Sequence, residues 1–403
     1  MFYIMPKALS HSLVKHHEPK RHLVPLYAAT LLLGFHTFVV AYINSSFLEQ
    51  FISASSVGMI YTIGSALSII IFLFISRVLH KVGSYNLTVF LLLLDFLAVS
   101  GMAFSNTINV VVPLFLIHLI SVPIIYFNID VFLESQIGNN ETSTGGKRGL
   151  LLMLASIVGA AAPLTSALLI SEDNDLTNAY VFSAGLLIPI VMIMLAFFKD
   201  FSDPEYEEID VFKALRQFWR KVNIRYVFLA TFTLQIFFMA TVVYFPLYLV
   251  TEIGLNWSEF GIVMFFAQLA YVIFEYPIGI IADKYIGEKE MMGFGFLILA
   301  ISISWMAFVS VADVLIWSII MFTTRVGASL VEATTESYFF KQTTNTDSQI
   351  ISFFRITRPL AIIVGTLIGS FTLLYLPFNL LFIVLAFLMI PALFFTLNIE
   401  DTK

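Results

Sequence analysis

Cysteine is absent from these 403 residues, and charge is scarce: Asp, Glu, Lys and Arg make up 12% of the chain. The first absence excludes disulfides, cysteine-ligated zinc, iron–sulfur clusters and thiol catalysis, and leaves the redox compartment open. The second excludes a water-soluble domain of this size, which would carry about a quarter charged residues. Disordered and nucleic-acid-binding classes fall with it. No Gly-rich phosphate loop ending in Lys-Ser/Thr is present, so ATP-driven pumping by this chain is not expected, and no paired-His zinc helix appears. What fills the chain is apolar: 59% hydrophobic residues, 42 phenylalanines and a mean hydropathy of +0.92. Such a chain belongs in a lipid bilayer.

A helical crossing needs ~20 largely apolar residues. Twelve stretches qualify: 23–48, 56–75, 86–104, 109–133, 149–170, 179–198, 226–250, 257–281, 291–309, 314–340, 349–372 and 376–397. The runs are continuous rather than alternating, which predicts helices and excludes a porin-type barrel. Residues 7–22 scatter His, Lys and Arg ahead of an apolar run that lacks a small-residue cleavage site, so 23–48 reads as a retained first span rather than a signal peptide.

Lys and Arg set the orientation. Eighteen of the 21 fall in the N-terminal tail, 76–85, 134–148, 199–225, 282–290, 341–348 and the C-terminal tail. The opposite connections hold none and carry Glu49, Glu172, Asp173, Asp175, Glu252 and Asp313. Both termini are therefore expected in the cytoplasm. The remaining three, Arg325, Arg355 and Arg358, lie within predicted spans. The longest connection, 199–225, is acidic from Asp200 to Asp210. It then repeats Ile209, Phe212, Leu215, Phe218 and Val222 at helical spacing, with Lys213, Arg216, Arg220 and Lys221 between them. That pattern predicts an amphipathic basic helix on the inner membrane face, tethering two halves.

Six spans on either side of that tether invite a search for duplication. An offset of 202–203 residues finds it. Ser55-Ser56-Val57-Gly58 opens the second span, and Ser258-Glu259-Phe260-Gly261 opens the eighth. Lys81 corresponds to Lys284. Asp130 and Glu134, followed by Ser135, correspond to Glu332 and Glu336, followed by Ser337. Acids at i and i+4 share a helix face and call for cations nearby. Arg355 and Arg358 are the candidates in the second half, Lys147 and Arg148 in the first. These groups are expected either to lock the inner helix ends or to break and re-form as a gate.

Between the second and third spans of each half lies a further pattern. The second half reads Gly279-Ile-Ile-Ala-Asp283-Lys284-Tyr-Ile-Gly287-Glu-Lys289, and the first reads Ser76-Arg-Val-Leu-His80-Lys81-Val-Gly83. With twelve spans, a 6+6 repeat and a charged central tether, the whole chain resembles the major facilitator superfamily, whose motif there is Gly-x-x-x-Asp-Arg/Lys-x-Gly-Arg/Lys. Gly279, Asp283 and Lys284 match it, with the next Gly one residue late. In the first half Lys81 and Gly83 match, while Ser76 and His80 replace the Gly and Asp. The resemblance implies an all-α membrane protein of twelve transmembrane helices in two pseudo-symmetric six-helix bundles, 23–198 and 226–397, joined by the linker 199–225 and flanked by the tails 1–22 and 398–403. It also implies alternating access around a site between the bundles, and a gating latch in which Asp283 faces the start of the fifth span.

Ionisable residues at membrane depth are costly and default to functional candidates. Arg325 lies ~18 Å into the tenth span by helix rise, and the resemblance places that helix on the cavity. Glu275, eight residues before Asp283, could carry a proton. His36 and His118 sit mid-span in the first and fourth helices and could bind substrate or shuttle protons. Asp95, mid-span in the third helix, is a weaker candidate, because the resemblance makes that helix peripheral. Gln235 and Gln268 are further candidate ligand contacts. The expected gating set is Asp283, Lys284, Glu332, Glu336, Arg355, Arg358, Asp130 and Glu134.

These features point to a monomeric secondary transporter in the plasma membrane, a bacterial inner membrane by its compact loops. Its partners would be a small-molecule substrate, the bilayer and protons as coupling ion, with no cofactor, no metal and no nucleic acid. Proton-coupled efflux of an amphipathic or organic compound is the expected activity. The alternative is a non-transporting receptor or scaffold on the same fold. A lipid-processing enzyme finds no catalytic constellation.

Overall fold

The structure is a computed structural model that describes residues 22–137, 155, 157–171, 173–204, 216, 218–342 and 357–400. Every element among them is helical. In chain order they are α1 (Leu23–Ala41), α2 (Asn44–Glu49), α3 (Ala54–Val82), α4 (Ser84–Phe104), α5 (Ile108–Ile137), α6 (Ile157–Leu169), α7 (Thr177–Phe197), α8 (Val222–Leu247), α9 (Trp257–Ile281), α10 (Glu288–Met306), α11 (Val314–Gln342), α12 (Thr357–Tyr375) and α13 (Leu380–Leu397). Eleven of the described helices are long and apolar enough to cross a membrane. The shorter α6 falls in the predicted fifth span, most of whose first turns lie outside the described residues.

The chain divides into two compact units, Met1–Phe51 with Ile63–Glu208, and Ile52–Thr62 with Ile209–Lys403. In the first, α4 packs on α5 and α7, and α1 packs on α7 and α5. In the second, α10 packs on α11 and α13, and α8 packs on α13 and α11. These are the same four pairings at equivalent positions, as a duplicated six-helix unit requires. Large apolar side chains such as Leu93, Leu97, Leu168, Ile301 and Phe387 stay exposed along the helices. In a bilayer that surface is solvated by lipid rather than penalised by water.

Boundaries shift from the sequence reading in three places. The first predicted span, 23–48, is broken at Tyr42–Ile43 into α1 and α2. The loops read at 76–85 and 282–290 are almost wholly helical. The seventh span begins at Val222 inside the predicted linker, and Phe218 is buried against Ile224, Phe228 and Tyr338. Most of the expected linker helix lies outside the described residues.

The late glycine of the second-half motif has a physical explanation. In the first half, Gly83 N–H donates to the Leu79 carbonyl four residues back (2.8 Å), an α-helical bond. In the second, Gly287 N–H donates to Ala282 five residues back (3.2 Å), and Ala282–Ile286 is a π-helical turn. The π turn absorbs the extra residue. Both glycines then stand before the next helix in one conformation, φ 81° and ψ 151° for Gly83, φ 100° and ψ 155° for Gly287. That region is essentially glycine-only. A Cβ on Gly83 would also lie 2.8 Å from Asp203 Oδ2, whose carboxylate accepts the Ser84 N–H (2.9 Å) at the start of α4. Gly83→Ala and Gly287→Ala are each expected to cost about 1–3 kcal/mol, read as a lower midpoint in thermal unfolding of the purified protein.

Two acids of the connections with no cations cap helices. Asp175 Oδ1 accepts from the Thr177 N–H (2.9 Å) and hydroxyl (2.6 Å), which holds its carboxyl below the usual carboxylate range. Asp313 Oδ1 accepts the Ile316 N–H at the start of α11 (2.9 Å). Asn256 and Glu259 form a reciprocal capping box at α9 (2.9 Å each way).

Candidate functional site

Each polar side chain of the first unit's centre occupies a position on its helix's buried stripe. His36 follows Leu26, Ala29 and Leu33 on α1. Asp95 falls among Leu91, Leu92, Ala98 and Val99 on α4, and Ser183 among Ala179, Tyr180, Leu187 and Ile190 on α7. On α5, His118 continues a face of Val111 and Phe115. The packing that buries those stripes drives the polar groups together. His36 and Asp95 are 0% exposed and His118 is 4% exposed. His36 Nε2 lies 2.9 Å from Asp95 Oδ2, and His118 Nδ1 lies 2.9 Å from Asp95 Oδ1. One carboxylate thus bridges two imidazoles, whose rings meet edge to face with centroids 5.5 Å apart. The other ring nitrogen of His36, Nδ1, faces both the Ser183 hydroxyl (2.8 Å) and the Ser183 carbonyl (3.0 Å). The same hydroxyl is 2.9 Å from the His36 carbonyl.

Among the described residues this is the one group of three acid or imidazole side chains whose donor atoms converge, all within 4.8 Å of one another. Its atoms are already paired by ordinary hydrogen bonds, so the group closes on itself rather than surrounding a gap. The sequence reading treated His36 and His118 as separate ligand contacts and gave Asp95 a lesser place. The structure joins the two histidines through Asp95. The available signal was that Asp95 is the sole charge in α4, and such a residue asks for a named partner.

In the second unit, Arg325 on α11 is 3% exposed. Its guanidinium carbon stands 5.3 Å from the ring centroid of Phe237 and 5.4 Å from that of Phe238, both on α8. Its Nε has no hydrogen-bond partner among the described residues. Two cation–π contacts favour the charge but do not replace hydrogen bonds to a buried guanidinium. Gln235, two residues earlier on α8, is buried and accepts from Arg358 Nε (3.3 Å). Residues 235–238 of α8 therefore meet arginines from two helices. Gln268 on α9 is half-buried.

The expected gating residues are placed unevenly. Asp130 is buried, Glu332 half-buried and Glu336 exposed. The side chains of Glu134, Glu275, Asp283 and Lys284, and all of Arg355, lie outside the described residues. Sequence reasoning missed one ion pair at this level: Glu288, 1% exposed at the start of α10, accepts from Ser337 Oγ (3.0 Å) and pairs with Lys341. Ser337 and Lys341 are one helical turn apart on α11, so one face of that helix holds Glu288.

Residues 227–403 match the Major Facilitator Superfamily in sequence. No curated protein sequence matches the chain. Solved structures match across nearly the whole length at low identity. A nucleoside transporter, NupG, superposes with a TM-score of 0.76 at 12% identity, covering 94% of this chain and 100% of its own. A peptide transporter, POT, in complex with sulfate gives 0.73 at 11%, covering 97% and 96%. A bacterial homologue of the iron transporter ferroportin in an inward-facing state gives 0.72 at 15%, covering 95% and 99%. The second half of the chain is thus similar in sequence to the Major Facilitator Superfamily, and the whole chain shares its fold with these solved transporters.

Proposed function

We propose that the protein exports a small amphipathic organic solute bearing an anionic group, by alternating access and in exchange for protons. The observation that carries the reading is Arg325. A buried guanidinium whose Nε has no partner among the described residues offers charge and a directed donor, and Phe237 and Phe238 beside it offer apolar faces for the rest of such a molecule. Proton coupling is supported by titratable side chains at membrane depth in a chain with no nucleotide loop.

The test is thermal unfolding of the purified protein with amphipathic aromatic carboxylates, matched amines and neutral analogues. A ligand of the native state stabilises it by about 2.7 kcal/mol at a hundredfold excess over Kd. Carboxylates are expected to raise the melting temperature of wild type and to lose that effect in Arg325→Ala. Stabilisation by amines alone would overturn the anion assignment. Efflux of the active carboxylate from vesicles, driven by an opposing pH gradient, then tests direction and coupling; binding without flux would mean a receptor.

A further inference from the structure

We propose that His36, Asp95 and His118 form a proton-binding site inside the first unit, holding one exchangeable proton as an imidazolium hydrogen-bonded to the Asp95 carboxylate. The inference deepens the proton-coupling part of the reading above and rests on it only for the use to which the proton is put.

The first support is charge. Asp95 is fully buried, and a lone carboxylate there would be very costly. The described elements around it supply no other countercharge. α1, α6 and α7 contain no Asp, Glu, Lys or Arg, and α4 contains only Asp95. On α5, Asp130 and Glu134 are acids, and they lie ~18 and ~24 Å from His118 by helix rise. α2 contributes only Glu49. α3 reaches α5 near the site through Ser68, whose hydroxyl donates to the Leu119 carbonyl left free by Pro123 (3.3 Å). The basic side chains of α3, Arg77, His80 and Lys81, begin ~14 Å further along that helix. Tyr126 and Tyr180 are engaged elsewhere, donating to Thr37 Oγ1 and Asn44 Oδ1. One proton on either imidazole brings the triad to zero net charge. A divalent metal ion with two neutral imidazoles and one carboxylate would leave it at plus one.

The second support is the surroundings of His36 Nδ1, which suit the ring with and without the proton. When Nδ1 is protonated it donates to the Ser183 carbonyl, and the Ser183 hydroxyl donates to the His36 carbonyl. When the Nδ1–H bond breaks, its electron pair stays on the ring as a lone pair, and the Ser183 hydroxyl turns to donate to it. All three distances, 3.0, 2.9 and 2.8 Å, are already hydrogen-bond distances. Nε2–H donates to Asp95 in both states, so a hydroxyl rotation is the only change the site needs when the Nδ1 proton passes to solvent water.

The experiment is ring-nitrogen NMR on the purified full-length protein labelled with 15N-histidine, from acid to alkaline pH, with the two rings assigned by loss of signal in His36→Gln and His118→Gln. In wild type one of the two rings is expected to pass from the doubly protonated to the neutral form as pH rises. In Asp95→Asn the doubly protonated form is expected to disappear from both rings. Two neutral rings throughout the range in wild type, or doubly protonated signal unchanged in Asp95→Asn, would overturn the proposal. So would a stoichiometric divalent metal in the wild-type protein that is lost in His118→Gln. If Asp95→Asn does not fold, the wild-type titration and the metal content still decide. Vesicle flux is measured separately: a titrating ring without flux defeats the transport reading and leaves the site standing, and flux with two neutral rings does the reverse.

Discussion

Asp95→Leu is expected to cost about 3–5 kcal/mol, the range for removing one partner of a buried pair, and to lower the melting temperature of the purified protein accordingly. The carboxylate accepts from two buried imidazoles. Removing it strands two donors, and unsatisfied buried polar groups cost more than made hydrogen bonds contribute. The expected signature is non-additivity. Replacing His36, Asp95 and His118 together by leucine removes every stranded donor, and the triple variant is expected to be more stable than Asp95→Leu alone. A triple variant less stable than the single would show that the histidines contribute packing the leucines cannot match, and would contradict this account of the site.

The stripes that bury the triad were readable residue by residue, but their meeting was not. Span count, helix type and the 6+6 duplication follow from apolar runs and from charge placement, which are local signals. That His36, Asp95, His118 and Ser183 converge depends on the rotation of four helices about their axes, and near-uniform apolar sequences such as Leu91–Val99 encode that rotation weakly. The family resemblance gave no pointer at this position, since it marks the third helix as peripheral. The motif glycine shows the opposite case. Its one-residue delay in the second half, a departure from the motif in sequence, proves to be an inserted residue held in a π turn, leaving Gly83 and Gly287 in one conformation. Arg325 was placed at membrane depth by counting, but its partners Phe237 and Phe238 could not be chosen from a chain with 42 phenylalanines.

Gly327→Ala is expected to destabilise the second unit by about 1–3 kcal/mol, toward the upper end. At this point α10 and α11 cross backbone to backbone. A Cβ on Gly327 would lie 2.9 Å from the Gly295 carbonyl oxygen, and a Cβ on Gly295 would lie 2.8 Å from the Gly327 carbonyl oxygen. Neither obstacle is a side chain that can turn away. Hydrophobic burial between helices is weak in lipid, so close approach at small residues supplies much of the association. One methyl group would force the helices apart along their whole contact. Gly293 is the internal control: it lies two residues from Gly295 on the same helix, and the nearest atom to a Cβ there is Thr396 Oγ1 at 3.7 Å. Gly293→Ala is expected to be neutral or to gain up to ~1 kcal/mol from helix propensity. Melting temperatures of the two variants should therefore move apart, Gly327→Ala below wild type and Gly293→Ala at or above it. Equal values would mean that the crossing opens at no cost. Arg325 lies half a turn from Gly327 on α11, so a displaced α11 also moves the guanidinium off Phe237 and Phe238, and Gly327→Ala is expected to weaken carboxylate-induced stabilisation as well as the fold.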